Sequence, residues 1–267
     1  MTIEVLVSTM NRKKEDIRDL LDNMNISTNA VIINQANYEE EYCFERKNHT
    51  IKVISKIERG LSKSRNLALK NAKEEICIIA DDDVVYKDNY EEIILKEYLL
   101  YPDADIIAFQ VPTTNLERAQ KQVKGNKKVG YINSGKIASF QITFKKESIQ
   151  DRGLKFDERF GAGAKYSCGE ENIWLFDGLK QGLKIIQSSK EIGIVTHEES
   201  TWFNGFDDKF FLDKGAIFTR MTYRYSVLWI IQYGFRKYNL YKKNMGIKRS
   251  LERMLRGRKE FIKYNDN

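Results

Sequence analysis

The stretch that most constrains this chain is Ile76 to Tyr86, a short apolar run that ends abruptly in three carboxylates, Asp81, Asp82 and Asp83. An apolar run of that length suits a buried strand and is too short for a helix. The carboxylates then stand at the strand's carboxyl end, at the rim of a core. Adjacent anions repel one another and lose hydration there, so a cation or strong donors must compensate them. A divalent metal is one solution, since hard oxygen ligands suit Mg2+ or Mn2+, and such ions bridge one or two carboxylates to substrate phosphates. An exposed acidic turn, with Asp82 or Asp83 capping a helix, is the other.

The flanking sequence alternates between short β-type runs and helical spacings. Ile3 to Val7 reads as a strand closed by Ser8, Thr9 and Asn11, and Lys13 to Met24 as a helix through Ile17, Leu20, Leu21 and Met24. Val31 to Ile33 and Ile51 to Ile54 are further strands, and Leu61 to Ala72 is a helix with Ser62 or Ser64 as its cap. Asn89 to Tyr101 is a helix stopped by Pro102, and Ile106 to Val111 a strand. Glu117 to Gly130, Lys-rich and without apolar period, reads as a surface loop or a lid. Lys136 to Lys145 alternates like a strand through Ile137, Phe140, Ile142 and Phe144. Glu170 and Glu171 open a helix whose apolar side is Ile173, Trp174 and Leu175, though acids at a helix start also serve simply as dipole partners. Lys184 to Ile186 and Ile192 to Val195 are short strands.

Such alternation implies an α/β fold with a parallel sheet and helices on its faces. Ligands of these sheets sit outside the carboxyl ends of the strands. Thr9, Asn34, Arg65 and the Asp cluster all lie near such ends, so they converge.

At 267 residues the chain is long enough for one large domain, or one domain with an appendage. Its net charge of +7 is unevenly placed: from Arg236 onward eleven Lys or Arg face three acids, and the preceding residues are nearly neutral. Cys43, Cys77 and Cys168 are odd in number and widely spaced, which gives neither a disulfide framework nor a metal spacing and suits a reducing compartment. The opening MTIEVLVST carries Glu4 and enters a strand pattern at once, unlike a secretory signal, and no apolar run approaches the roughly 18 residues of a membrane span. A cytoplasmic protein is expected.

Beyond Trp202 the composition changes. Phe210, Phe211, Phe218, Tyr225, Leu228, Trp229 and Tyr233 fall at helical spacings among Arg220, Arg224, Arg236 and Lys237. Cationic heads on apolar bodies suit the headgroup level of an anionic bilayer. The expectation is that the first helix of this tail packs on the domain and the basic segment from Arg249 to Lys263 lies on the membrane. A nucleic-acid-binding module is the competing reading of the tail, but it leaves Asp81 to Asp83 and Glu170 and Glu171 without a role.

Taken in order, VLVSTMNR at the first strand, RGLSKSRNLALKNA, ADDDV, FDERFGAG, GEEN and THEESTW resemble the family two glycosyltransferases with the GT-A fold, in particular bacterial enzymes of capsule, O-antigen and other surface polysaccharide assembly. The resemblance spans Ile3 to Trp202. It implies a GT-A domain over 1–205 with a mixed, mainly parallel sheet, its donor half at 1–112 and its acceptor half at 113–205, followed by a helical extension at 206–267. It also implies a nucleotide-sugar donor, a UDP-sugar first among them, and a divalent cation, Mn2+ or Mg2+.

By the same resemblance Thr9 and Asn34 hold base and ribose, and Arg65 lies near the nucleotide or its diphosphate. Asp81 and Asp83 are the ends of the Asp-Xaa-Asp element, with Asp83 ligating the metal, Asp81 facing the ribose or the ion's water shell, and Asp82 the turn between them on the cofactor side. His197 approaches the metal or diphosphate. Glu171, with Glu170 beside it, stands where the family carries its catalytic base. The implied reaction is an inverting single displacement onto a saccharide or lipid-linked saccharide hydroxyl, with no nucleic acid as partner. A metal-dependent nucleotidyltransferase or nucleotide hydrolase is the rival, since it too would use clustered acids.

Overall fold

A computed structural model describes residues 1–114, 122–196 and 205–265. The first half builds the expected alternation: β1 (Ile3–Met10), α1 (Asp16–Asn23), β2 (Asn29–Gln35), β3 (Glu40–Arg46), β4 (His49–Lys56), α2 (Leu61–Asn71) and β5 (Ile76–Asp81). Strands β1, β2, β4 and β5 pair in parallel. Their runs of Val and Ile are buried on both faces, as parallel strands covered by helices must be.

The second half contributes β6 (Val84–Tyr86), α3 (Tyr90–Leu100), β7 (Ile106–Gln110), β8 (Lys127–Lys128), α4 (Tyr131–Ser134), β9 (Ile142–Lys145), α5 (Lys146–Asp151), α6 (Glu170–Lys180), β10 (Ile185–Glu191) and β11 (Gly193–Val195). The main sheet has nine strands in the order β3-β4-β2-β1-β5-β9-β7-β10-β8. β9 runs antiparallel between β5 and β7, so the sheet is mixed but mainly parallel. A separate ribbon pairs β6 with β11 and brings the strand before residue 196 alongside the segment after the triple Asp. One core, with α1 and α3, covers one face of the sheet, and a second, with α2 and α6, covers the other.

Three local expectations differ from what is found. The stretch from Lys136 to Lys145 is a strand only from Ile142, because the Gln141 side chain accepts from the Ala138 N–H and tightens Ser139 to Gln141 into a 3-10 turn. Neither Ser62 nor Ser64 caps α2: the Ser62 hydroxyl donates to the Phe160 carbonyl and Ser64 bonds Ser8, while Gly60 occupies the cap position. The hairpin β3–β4 was not foreseen. Lys47 and Asn48, both at positive φ, form its tight turn, and the charged edge strand β3 discourages pairing with other chains. Part of the Glu117 to Gly130 loop, residues 117–121, lies outside the described residues, and its end forms β8.

The tail folds as three helices, α7 (Asp208–Met221), α8 (Ser226–Tyr241) and α9 (Ile247–Asn265), around a third core that also takes in Phe160, Tyr166, Ile173 and Phe176. Asp207 caps α7 by accepting from the Phe210 N–H at 2.7 Å. α9 is not a free basic helix. Met254 and Phe261 on its apolar side are buried in the bundle, and only the opposite face, with Lys248, Arg256 and Lys259, is exposed. α7 and α9 touch backbone to backbone, because a methyl added at Gly215 would lie 1.9 Å from the Met254 carbonyl oxygen and one at Gly257 1.9 Å from that of Leu212. No described helix is long and apolar enough to cross a membrane.

This contact predicts that Gly215→Ala forces the two helices apart and destabilises the protein by about 1–3 kcal/mol, the usual range for overpacking. Urea unfolding checks it, with Gly246→Ala, where an added methyl meets nothing within 4 Å, as the near-neutral control.

Candidate active site

The site forms at the carboxyl ends of β1 and β5. At the end of β1 the Thr9 hydroxyl donates to Asp82 at 2.6 Å, and the Arg12 guanidinium reaches the same carboxylate at 3.1 Å. Asn34, at the end of β2, is buried and ties down the intervening loop. Its side-chain oxygen accepts from the Arg12 N–H at 3.1 Å, and its amide donates to the Arg12 carbonyl at 2.8 Å and to Ser55 at 3.1 Å. An Asp here could accept from Arg12 but could not donate back, which gives Asn a structural reason. Asn34 thus acts on the loop that carries Arg12.

Arg65 is at the centre of the arrangement. Only 3% exposed, it donates to Glu170 at 2.7 Å, to Asp81 at 2.8 Å and to the Ser139 hydroxyl at 2.9 Å. Ser139 in turn donates to the other oxygen of Asp81 at 3.2 Å. One guanidinium therefore joins α2, the end of β5, the turn before β9 and the start of α6. The FDERFGAG segment is held in the same place. Ser62 donates to the Phe160 carbonyl at 2.6 Å, and the Leu61 N–H to that of Ala162 at 2.9 Å.

Gly169 opens α6 at φ 89°, and an added Cβ would lie 2.6 Å from the Ile217 side chain of α7, so another residue here would be strained and would have to push that side chain aside. The two carboxylates that follow are in different situations. Glu170 is buried and held by Arg65. Glu171 accepts from the Asn172 side chain at 3.0 Å, and burial, with Glu170 beside it, pushes its carboxyl up to about 8. Burial disfavours the charged form of Lys214 on α7, but Cys168, Tyr233 and the two glutamates outweigh it and raise the amine. Burial pushes the nearby Cys168 thiol up to about 11, which keeps it protonated and unsuited to nucleophilic attack.

The Asp83 carbonyl accepts from both the N–H and the hydroxyl of Thr196, each at 3.1 Å. The chain entering residue 197 is thereby fastened to the Asp cluster, though His197 itself lies outside the described residues. Among the described residues no three His, Cys, Asp or Glu side chains are gathered as a complete metal cage. The donor set nonetheless fits Mg2+ or Mn2+ in a nucleotide site: Asp81 and Asp83, partly buried with Asp83 Oδ1 enclosed, offer hard oxygens, and such ions take one or two carboxylates and complete their shell with phosphate oxygens and water.

The structure thus gathers Thr9, Arg65, Asp81, Asp82, Glu170 and Glu171 into one connected region with Asp83 at its edge. Sequence reasoning assigned no role to Arg12, Ser139 and Lys214. Arg12 stood within VLVSTMNR, and its position just past a strand end was the available signal. Lys214 had none, because only the return of α7 onto α6 brings it there.

Solved structures share this architecture. S. aureus TarS, residues 1–349, in complex with UDP-GlcNAc superimposes with a TM-score of 0.67 at 15% identity, over 98% of this chain and 81% of that one. The mannosyltransferase PcManGT from Pyrobaculum calidifontis, in complex with GDP-Man and Mn2+, gives 0.56 at 10% identity, over 98% and 87%. No curated protein sequence matches the chain. The fold is that of the GT-A glycosyltransferases. The model of glycosyl transferase family 2 matches residues 5–164, more than half of the chain, and the protein belongs to that family.

Two predictions follow from the buried charges. Arg65→Met leaves Glu170 and Asp81 without their shared cation and costs about 3–5 kcal/mol, read by urea unfolding. The raised carboxyl of Glu171 means that the native state keeps a proton which the unfolded chain, at its ordinary value of 4.5, has released. Stability then falls as pH rises from about 4.5 to about 8. Glu171→Gln removes that penalty. Its Tm should exceed wild type by about 2–4 °C or more at pH 8.5, and the difference should vanish near pH 4.5. A pH-independent difference would contradict the assignment.

Proposed function

We propose that the enzyme moves a sugar from a nucleoside diphosphate donor to an acceptor hydroxyl with inversion, in the synthesis of a bacterial surface polysaccharide on the cytoplasmic side. The observation that carries the choice of base is the contrast between the two glutamates: Glu170 is committed to Arg65, whereas Glu171 is uncommitted to any cation at hydrogen-bond distance and has its carboxyl raised toward neutral pH. A base works best when its pKa lies near the working pH.

In this reading the donor half, 1–112, binds the nucleotide near Thr9, Arg12 and Asp82, and the acceptor half, 113–205, presents the hydroxyl to Glu171. Arg65 acts from behind by fixing Asp81 and Glu170. A divalent cation held by Asp83 and Asp81, with His197 in reach of it or of the diphosphate, would neutralise the leaving diphosphate as a Lewis acid. The acceptor oxygen attacks the anomeric carbon while the Glu171 carboxylate takes its proton, and the carbon–oxygen bond to the diphosphate breaks with its electron pair leaving on the nucleotide. No covalent intermediate with the protein is needed. Lys214 favours the ionised state of Glu171 and so keeps the base usable. The acceptor is a saccharide or lipid-linked saccharide, and the donor is a UDP-sugar first, with GDP-sugars next.

A panel of UDP- and GDP-sugars screened calorimetrically with Mn2+ tests the donor class. Glu171→Gln should retain donor affinity and lose transfer at least a thousandfold, and full residual turnover would remove the assignment. Asp83→Ala should weaken donor binding at least tenfold with Mn2+ and little without it. Unchanged affinity in the presence of Mn2+ would count against metal-assisted binding. Release of nucleoside monophosphate in place of diphosphate would favour nucleotidyl chemistry.

A further inference from the structure

The tail bundle carries a surface that the reaction does not use. On α8, Leu228, Ile231 and Phe235 follow one another at helical spacing along the outer face and are 63%, 44% and 63% exposed, with Leu240 at 60% near the helix end. Large apolar side chains grouped this way on one face mark an interaction surface, unlike the scattered ones every surface has. Tyr223 and Tyr225 border the stripe at its start, and Lys242 continues its line at the other end.

The electrostatic setting is one-sided. Between Asp213 and Glu252 the chain holds nine Lys or Arg and no acid. Arg220 and Arg249 are paired with Asp157, Asp177 and Asp208. Arg224, Arg236, Lys242 and Lys243 are exposed around the stripe and make no ion pair among the described residues. Partial burial, together with Arg236, Lys136 and Lys214 nearby, holds Lys237 below its usual range.

The other side of α8 connects it to the catalytic helix. Trp229 meets Phe176 of α6 with ring centroids 6.1 Å apart, and Tyr131 of α4 meets Phe176 at 4.7 Å, with Ile132 exposed beside it. Phe176 and Glu171 are five residues apart on one helix, about 7.5 Å along its axis.

We propose that this face of α8, with its cationic rim, docks on an anionic lipid bilayer and so holds the acceptor side of the site at the membrane surface. This rests on the glycosyltransferase reading only for its purpose; the docking itself follows from the helix. A second copy of the chain is the poorer occupant. Self-pairing would set the same unneutralised cations against one another, whereas anionic headgroups compensate them and the acyl region takes the apolar stripe. The basic helix α9 does not serve, because its apolar side is already buried. Basic residues at such a surface contribute additively and are screened by salt.

The test is flotation of the full chain with vesicles of phosphatidylglycerol and phosphatidylcholine, against phosphatidylcholine alone, at low and high salt. Binding should require the anionic lipid and weaken with salt. L228S/I231S/F235S should lose it at least tenfold, and R236Q/K242Q/K243Q should lose most of its salt-sensitive part. R256Q/K259Q on α9 should change it little. Circular dichroism and nucleotide-sugar affinity without lipid, unchanged in all three, separate this result from a folding defect and from failure of the glycosyltransferase reading. No flotation at low salt, or full flotation of the Ser variant, would overturn the proposal. A concentration-dependent dimer that the Ser variant abolishes would assign the face to a second copy.

Discussion

The site depends on one buried guanidinium. Arg65 is shared between Asp81 and Glu170, with Ser139 completing the set, and these groups come from four separate segments of the chain. A cation enclosed in protein is tolerable only when paired and hydrogen-bonded. Here the requirement runs both ways, because each carboxylate also needs the cation. The four segments can approach only together, so the charge cluster sets the register between the carboxyl end of β5 and the start of α6. That is a positioning task. It leaves Asp82, Asp83 and Glu171, which Arg65 does not bind, as the carboxylates turned to other partners.

Much of this could be read in the sequence wherever a local pattern sufficed. Runs such as Val31 to Ile33 and Ile76 to Ala80 are apolar on every residue, which only a doubly covered strand accommodates, and they are β2 and β5. The start of α6 at Glu170 was equally legible, since two acids precede an apolar face. What failed was decided by partners distant in the chain. Ser62 and Ser64 look like caps by spacing, yet their hydroxyls are drawn to Phe160 and Ser8. Asn34, expected near base and ribose from its place at a strand end, also has its amide bonded to Arg12 and Ser55, a part its position alone does not announce. Tyr42 and Phe44 alternate with charges in β3, but a half-exposed edge strand gives too weak a period to separate from loop.

The tail shows the same limit from the other direction. Leu251, Met254 and Phe261 among many cations give α9 the pattern of a helix at a membrane surface, and the pattern is correct as amphipathicity. Amphipathicity does not say what covers the apolar side. Two glycines decide it: Gly215 and Gly257 let α7 and α9 approach until backbone meets backbone, an arrangement a bilayer has no means to match. α8 is the converse case. Leu228, Ile231 and Phe235 are as apolar as core residues, and the bundle leaves them outside because Trp229, Ile230 and Gly234 already fill the inner side.

The two glutamates at the start of α6 show which of two readings magnitude selects. A helix N-terminus stabilises a carboxylate by about 0.3–1 kcal/mol, less than one pKa unit. If dipole partnership were the whole role of Glu171, its carboxyl would sit at or below its ordinary value. It is instead raised to about 8, so desolvation and the repulsion of Glu170 outweigh the helix end severalfold. Arg65 reaches Glu170 at 2.7 Å and makes no such contact with Glu171. The fold thus buries a cation against one acid of the pair, and that acid in turn disfavours charge on its neighbour. A carboxyl raised to about 8 at a cost to stability is not something packing alone would favour, and it is the property on which the proposed choice of Glu171 as base rests.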